Sequence, residues 1–140
     1  MQWLEIWSVM DKTSHVALQL KALICLWAVR ITLWLFSFRN VRRGIAFLTP
    51  KAVRTKAHFS AEQFSLAICA ASRWVPKATC LTKAVALHIL LRRAGLQSRI
   101  RIGVAKDGGN FEAHAWVEHQ EKVVIGDIGL QRFVSILECN

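Results

Sequence analysis

Cys80, His114 and Asp127 have the side chains that nucleophilic attack on a carbonyl group requires. A thiol becomes an effective nucleophile when an imidazole takes its proton, and a carboxylate keeps that imidazole in the required tautomer. The chain therefore contains all three components of a cysteine-based catalytic triad, provided that the fold brings them together.

The position of Cys80 distinguishes it from the other cysteines. Thr79 is a suitable N-cap residue, so Cys80 is expected in the first turn of a helix. There the unpaired backbone amides and the helix dipole stabilise a thiolate, and the same amides can stabilise an oxyanion. We expect Cys25, Cys69 and Cys139 to be small buried apolar residues. The four cysteines are widely spaced without a CxxC pair, so neither a metal site nor a disulfide framework is predicted, and no cofactor is expected.

Among the histidines, His114 is the expected partner of Cys80. His88 lies eight residues after Cys80 on the same predicted helix, a rise of about 12 Å, which is too far for contact. His114 lies in the middle of a predicted strand, between two alanines that allow close packing. Asp127 closes the next predicted strand, where hairpin pairing would bring its carboxylate beside the imidazole.

Apolar periodicity and turn residues predict an α+β arrangement in which a helix precedes an antiparallel meander. A capping box at Ser60-Ala-Glu-Gln63 opens one helix, and the next runs from about Thr79 to a stop at Gly95. The first of these helices is expected to bury four residues, namely Phe64, Ala67, Ile68 and Ala71. The predicted strands cover residues 99–104, 111–118 and 123–128, with a hairpin turn at 107–110.

The apolar run from Val16 to Phe38 is long enough to cross a bilayer as a helix. Lys21 and Arg30 interrupt it about 180° apart on a helix, so no single polar face emerges. A buried or partner-docking helix is the favoured interpretation, and a membrane-surface helix and a transmembrane helix stay open as alternatives. The arginines at 39, 42 and 43 suit a solvated helix end, anionic lipid or an acidic peptide.

Composition predicts one domain in a reducing compartment. The chain has 140 residues, of which 54% are hydrophobic, a formal charge of +10 and a mean hydropathy of +0.31. The charge favours an anionic partner. Residues 1–58 are expected to form an apolar helical region and residues 59–140 a catalytic core within a single domain 1–140. No secretory signal is recognised, so a cytoplasmic location, with membrane association as an addition, fits best.

Four segments carry a resemblance to a known family: Arg73-Trp-Val-Pro-Lys-Ala-Thr-Cys-Leu81, Leu90-Leu-Arg-Arg-Ala-Gly95, Arg101-Ile-Gly-Val104 and Glu112-Ala-His-Ala-Trp-Val-Glu118. Together they resemble the transglutaminase-like leader peptidase of lasso-peptide biosynthesis, which is the protease half of the split B protein. The resemblance covers about residues 60 to 130.

The resemblance implies a papain/transglutaminase-like core with N-terminal helices and a catalytic cysteine at a helix N-terminus packed on an antiparallel sheet. It implies a cysteine protease that removes the leader through a thioester. Cys80 would be the nucleophile, His114 the general base and acid, and Asp127 the orienting residue. Trp74 and Trp116 either line the acyl site or are core aromatic residues, and both interpretations stay open. The implied partners are the precursor peptide, a small leader-recognition protein of winged-helix type and an ATP-dependent macrolactam cyclase.

Two further hypotheses remain open from the sequence. The same triad could transfer an acyl group, as transglutaminases and arylamine acetyltransferases do. Alternatively, the chain could be a noncatalytic membrane-associated or nucleic-acid-binding protein that uses its positive charge. The chain lacks the evenly spaced basic and aromatic residues of a known nucleic-acid fold, so no nucleic-acid partner is expected.

Overall fold

A computed structural model describes residues 2–37, 39–40, 42–44, 59–126 and 134–139, and it describes side chains within 15–37, 39–40, 42–44, 59–106 and 108–126. Its elements combine helices with an antiparallel sheet, which confirms the predicted α+β class. In chain order they are α1 (Gln2–Leu35), α2 (Ala61–Ala71), a 3₁₀ turn (Ser72–Trp74), α3 (Cys80–Arg93), β1 (Arg99–Asp107), β2 (Asn110–His119), β3 (Lys122–Ile125) and β4 (Val134–Cys139).

The ends of α2 and α3 form where the sequence predicts them. The backbone amide of Gln63 donates to Ser60 Oγ at 3.3 Å, and the backbone amide of Ser60 donates to Gln63 Oε1 at 2.9 Å, which is the expected capping box. Thr79 caps α3 by accepting the Thr82 amide at 3.3 Å. At the other end, Gly95 adopts a φ of +84° and ends the helix.

The sheet has the strand order β3-β2-β1-β4, and each neighbouring pair is antiparallel. The predicted hairpin joins β1 to β2, with Asp107 opposite Asn110 and two glycines at positive φ between them. β3 ends at Ile125, and the predicted continuation to residue 128 lies partly outside the described residues. β4 was not predicted, and it extends the sheet along the free edge of β1.

A single core lies between α1, α2, α3 and one face of the sheet. The predicted apolar face of α2 is confirmed, because Phe64, Ala67, Ile68 and Ala71 are all buried. Among the described side chains of α1, Leu18, Ala22, Leu26 and Val29 are buried in this core. Within the described part of the chain, His15–Leu35 is one segment long and apolar enough to cross a membrane. Helix α1 thus combines the composition of a membrane segment with one face that packs inside the protein.

His88 is a core residue of α3, as its distance from Cys80 suggests. Its side chain is fully buried, and Nδ1 lies 2.8 Å from Ser98 Oγ. Burial, with a smaller effect of the nearby Arg92 charge, lowers the pKa of His88 from 6.5 to about 4.

This buried histidine makes the free energy of unfolding depend on pH. Below pH 6.5 the unfolded chain binds a proton at His88 that the folded chain excludes until about pH 4. The contribution of His88 to the free energy of unfolding is therefore complete above pH 6.5. It is lost as the pH falls through about pH 4, by about 3 kcal/mol in total. In urea unfolding, the wild type should lose about 2 kcal/mol more than His88→Leu between about pH 7.5 and pH 5. Equal losses in the two proteins would contradict this assignment.

Candidate active site

Cys80 is the first residue of α3, and its side chain is half-buried. Thr79 is the N-cap of the helix, so Cys80 lies in the first turn, where backbone amides have no acceptor within the helix. Among the residues that the structure describes, none forms a hydrogen bond with the Cys80 thiol. The position therefore has the predicted helix-start environment, while its partnership with a histidine stays a prediction.

His114 lies in the middle of β2, opposite Gly103 of β1, and it is half-buried. Its Nε2 lies 2.8 Å from the carbonyl oxygen of Gly126. A carbonyl oxygen only accepts hydrogen bonds, so Nε2 carries the proton, and in the neutral ring Nδ1 is the acceptor. In this tautomer Nε2 donates to the carbonyl, and the lone pair on Nδ1 is the one that accepts a proton in general-base catalysis.

Gly126 permits this hydrogen bond by having no side chain. Its φ is +87°, and a Cβ atom there would lie 2.9 Å from both the Ala115 carbonyl oxygen and Trp116 Cβ. The same Cβ would lie 3.2 Å from His114 Nε2. Any other residue at this position would therefore push the chain away from β2 and displace the carbonyl that holds the imidazole.

We expect Gly126→Ala to lower activity by about 10²-fold, since displacements of about 1 Å in a catalytic group cost this much. Gly109→Ala is the matched control, because Gly109 also has a positive φ of +92°, but a Cβ atom there would meet no atom of a non-neighbouring described residue within 4 Å. Both substitutions carry backbone strain, whereas only the first disturbs His114. Equal activity of the two variants would contradict the role given to Gly126.

A chain of contacts holds the aromatic ring beside His114. Trp116 is 5% exposed, and its ring stacks on the imidazole with centroids 6.2 Å apart. Trp116 Nε1 donates to Glu118 Oε1 at 3.1 Å, and Glu118 Oε2 pairs with Arg101 Nε at 3.1 Å. Side chains two residues apart on a strand share a face, so the spacing His-x-Trp-x-Glu builds this arrangement. The sequence contained that signal, but Glu118 and Arg101 were not predicted as part of the site.

The two tryptophans of the predicted acyl site differ in their surroundings. Trp74 lies on the 3₁₀ turn before Cys80 and is 77% exposed, so it is not a core aromatic. Trp116 is buried and held by hydrogen bonding, so its ring is a fixed wall beside the imidazole. Of the two, Trp74 is the one exposed enough to contact a substrate from the protein surface.

The third predicted triad member, Asp127, lies outside the described residues. Its orienting role therefore stays a prediction. In the structure the His114 Nε2–H donates to the backbone carbonyl of Gly126, which directly precedes Asp127 in the sequence. A backbone acceptor at this point had not been predicted.

The other cysteines provide a contrast with Cys80. Burial raises the pKa of the Cys25 thiol to about 11, so Cys25 stays protonated at neutral pH. Cys69 is exposed on α2, so the expectation that it is buried was wrong, because its side chain faces away from the core face of that helix. The side chain of Cys139 is not among those described.

Helix α3 packs directly against β2, so Cys80 and His114 lie on contacting elements. No hydrogen bond joins these two described side chains, and such contacts often tighten only when substrate binds. The arrangement offers a helix-start thiol, a strand histidine in a fixed tautomer and a rigid aromatic wall. These parts suit acyl chemistry through a cysteine.

Comparison with known proteins agrees with this chemistry. The profile of the transglutaminase-like superfamily matches residues 23–138. No curated protein and no solved structure gives a significant match. The profile covers most of the chain, from within α1 into β4. This protein therefore belongs to the transglutaminase-like superfamily, whose members are in general cysteine-based enzymes.

Proposed function

We propose that this protein is a cysteine peptidase that removes the leader from a ribosomally synthesised lasso-peptide precursor. The observation that carries the catalytic part is the hydrogen bond from His114 Nε2 to the Gly126 carbonyl, which leaves Nδ1 as the proton acceptor. The sequence segments 73–81 and 112–118 support the narrower assignment to leader removal through their resemblance to lasso-peptide leader peptidases.

In the proposed reaction, His114 takes the proton of the Cys80 thiol as sulfur attacks the scissile carbonyl carbon. The oxyanion of the tetrahedral intermediate receives hydrogen bonds from first-turn amides of α3. His114 then gives its proton to the leaving amine, which is the N-terminus of the core peptide. The leader remains as a thioester on Cys80, and water activated by His114 hydrolyses it to the free carboxylate and the thiol. Asp127 is proposed to stabilise the imidazolium.

Leader recognition is proposed to reside in a separate protein of winged-helix type. Such a protein would bind the leader and this chain together, which raises the local concentration of the scissile bond. An ATP-dependent macrolactam cyclase would then close the ring on the released core. We expect the recognition protein to raise the cleavage rate of full-length precursor by roughly 10²-fold. Full activity of the isolated chain, unchanged by the recognition protein, would contradict this division of labour.

Acyl transfer on the same residues is the second candidate function, because the superfamily includes enzymes of transglutaminase type. Product mass separates the two reactions. Hydrolysis of the precursor in ¹⁸O-labelled water should place one labelled oxygen in the released leader carboxylate. An amide or ester that joins the leader to an added amine or alcohol would instead favour the transferase.

A further inference from the structure

Helix α1 has two apolar faces, and only one of them lies in the core. The opposite face is exposed from Val16 to Leu35, within the part of the helix whose side chains the structure describes. We call this face the exposed stripe, and its residues, 40% to 76% exposed, are Val16, Leu20, Ile24, Trp27, Ile31, Trp34 and Leu35. They recur every three or four positions, as on one side of a helix.

Lys21 and Arg30 form the boundaries of the exposed stripe. At about 100° per residue the stripe covers about 100° of the helix circumference, and each cation lies about 40° beyond one edge. Lys21 and Arg30 do not form one polar face, but they separate the exposed apolar face from the buried one. A helix with this pattern presents an apolar strip flanked on both sides by positive charge.

Positive charge is concentrated in the sequence that contains the exposed stripe and the residues after it. Residues 12–61 contain nine Lys and Arg residues and no Asp or Glu, in a chain whose net charge is +10. Three of these cations, Arg39, Arg42 and Arg43, are exposed and follow the exposed stripe directly. A complementary partner therefore needs a negatively charged surface above an apolar interior, which is the make-up of a bilayer that contains anionic lipid.

We propose that the exposed stripe and Arg39, Arg42 and Arg43 bind the protein to the surface of an anionic phospholipid bilayer, with α1 lying in the membrane plane. An in-plane orientation follows because residues such as Leu26, with no exposed surface, hold the other face of α1 in the protein core. Spanning would withdraw that face from α2 and α3. Trp27 and Trp34 suit the headgroup region, where amphipathic rings accumulate. This proposal does not depend on the peptidase reaction.

Cosedimentation of the full-length chain with vesicles tests the proposal. The protein should bind vesicles of phosphatidylcholine with about 30% phosphatidylglycerol at least tenfold more tightly than vesicles of pure phosphatidylcholine, and added salt should weaken binding.

The double variant Ile31→Gln/Trp34→Gln should lose binding to both types of vesicle. The control is Leu66→Gln/Phe111→Gln, at exposed apolar positions on α2 and β2, which should bind as wild type does. Arg42→Gln/Arg43→Gln should weaken binding to anionic vesicles about tenfold. The control for this charge removal is Lys106→Gln/Lys122→Gln, which should not weaken binding to anionic vesicles.

Quenching by brominated lipid provides a readout that needs no destabilising change. Trp34→Phe keeps an apolar side chain, so it should bind as tightly as wild type but lose part of the quenching. Equal binding to both vesicle types, or losses shared by the control variants, would overturn the proposal. Two further outcomes would overturn the proposal. In both, the protein does not bind vesicles, and the substitutions in the exposed stripe instead dissociate either a stable dimer or a complex with the recognition protein.

Discussion

Cys80→Ala is expected to lower the rate of the proposed leader cleavage by roughly 10⁴-fold or more, because the variant has no atom that can form the thioester. The substitution removes one sulfur atom from a half-buried site at the start of α3. Thr79, which caps the helix through its own side chain, is unchanged. The variant should therefore retain the circular dichroism spectrum of wild type and should still bind the precursor.

Cys69→Ala is the matched control for this experiment. Cys69 is exposed on α2, so its removal should leave both fold and activity close to those of wild type. Cys25 is unsuitable as a substitute nucleophile, since burial raises the pKa of its thiol to about 11. Cleavage by Cys80→Ala at a substantial fraction of the wild-type rate would disprove the nucleophile assignment.

His114→Ala should reduce cleavage by about 10²- to 10⁴-fold, because general base and acid catalysis contribute on this scale. The loss should be largest near neutral pH and smaller in alkaline solution, where hydroxide forms the thiolate without an imidazole. Added imidazole should restore part of the activity by occupying the space that the side chain leaves. Initial rates across the pH range with and without imidazole provide the measurement.

His119→Ala is the control for His114→Ala. His119 lies on the same strand, at the C-terminal end of β2, where its Nδ1 forms a hydrogen bond with the Gln97 carbonyl. It should keep the wild-type pH profile. If His114→Ala lost activity uniformly at every pH, resisted imidazole and unfolded in milder denaturant, the residue would be structural instead of catalytic.

Local signals in the sequence predicted the elements that carry Cys80 and His114. Ser60 and Gln63 form the expected capping box, and Thr79 and Gly95 mark the ends of α3 as predicted. These features depend on residues within one helical turn, so one sequence contains them in full. The α+β class followed from the change of apolar period after Gly95.

The contacts around the imidazole depend on tertiary packing and were not predicted. Gly126 meets His114 because β3 pairs with β2, and its carbonyl is an acceptor of the imidazole that the sequence did not indicate. Likewise, β1 places Arg101 beside Glu118 across two strands. The pairing of β2 with β3 was predicted, whereas the acceptor carbonyl of Gly126 and the ion pair with Arg101 were not.

The exposed stripe shows a different limit of sequence patterns. Periodicity could not separate a helix with two apolar faces from one that is apolar all round, because both have a high density of apolar residues. Only the packing of Leu18 and Leu26 in the core identifies which face is buried.

The most direct test of the central claim is the intact mass of the protein after acid quenching of its reaction with precursor. We predict an adduct equal to the leader less one water, located on Cys80 by peptide mapping and released by hydroxylamine as expected for a thioester. The adduct should be absent from Cys80→Ala and should accumulate in His114→Ala if deacylation becomes the slower step. Release of leader with no adduct, or an adduct on Cys69 instead, would contradict the account.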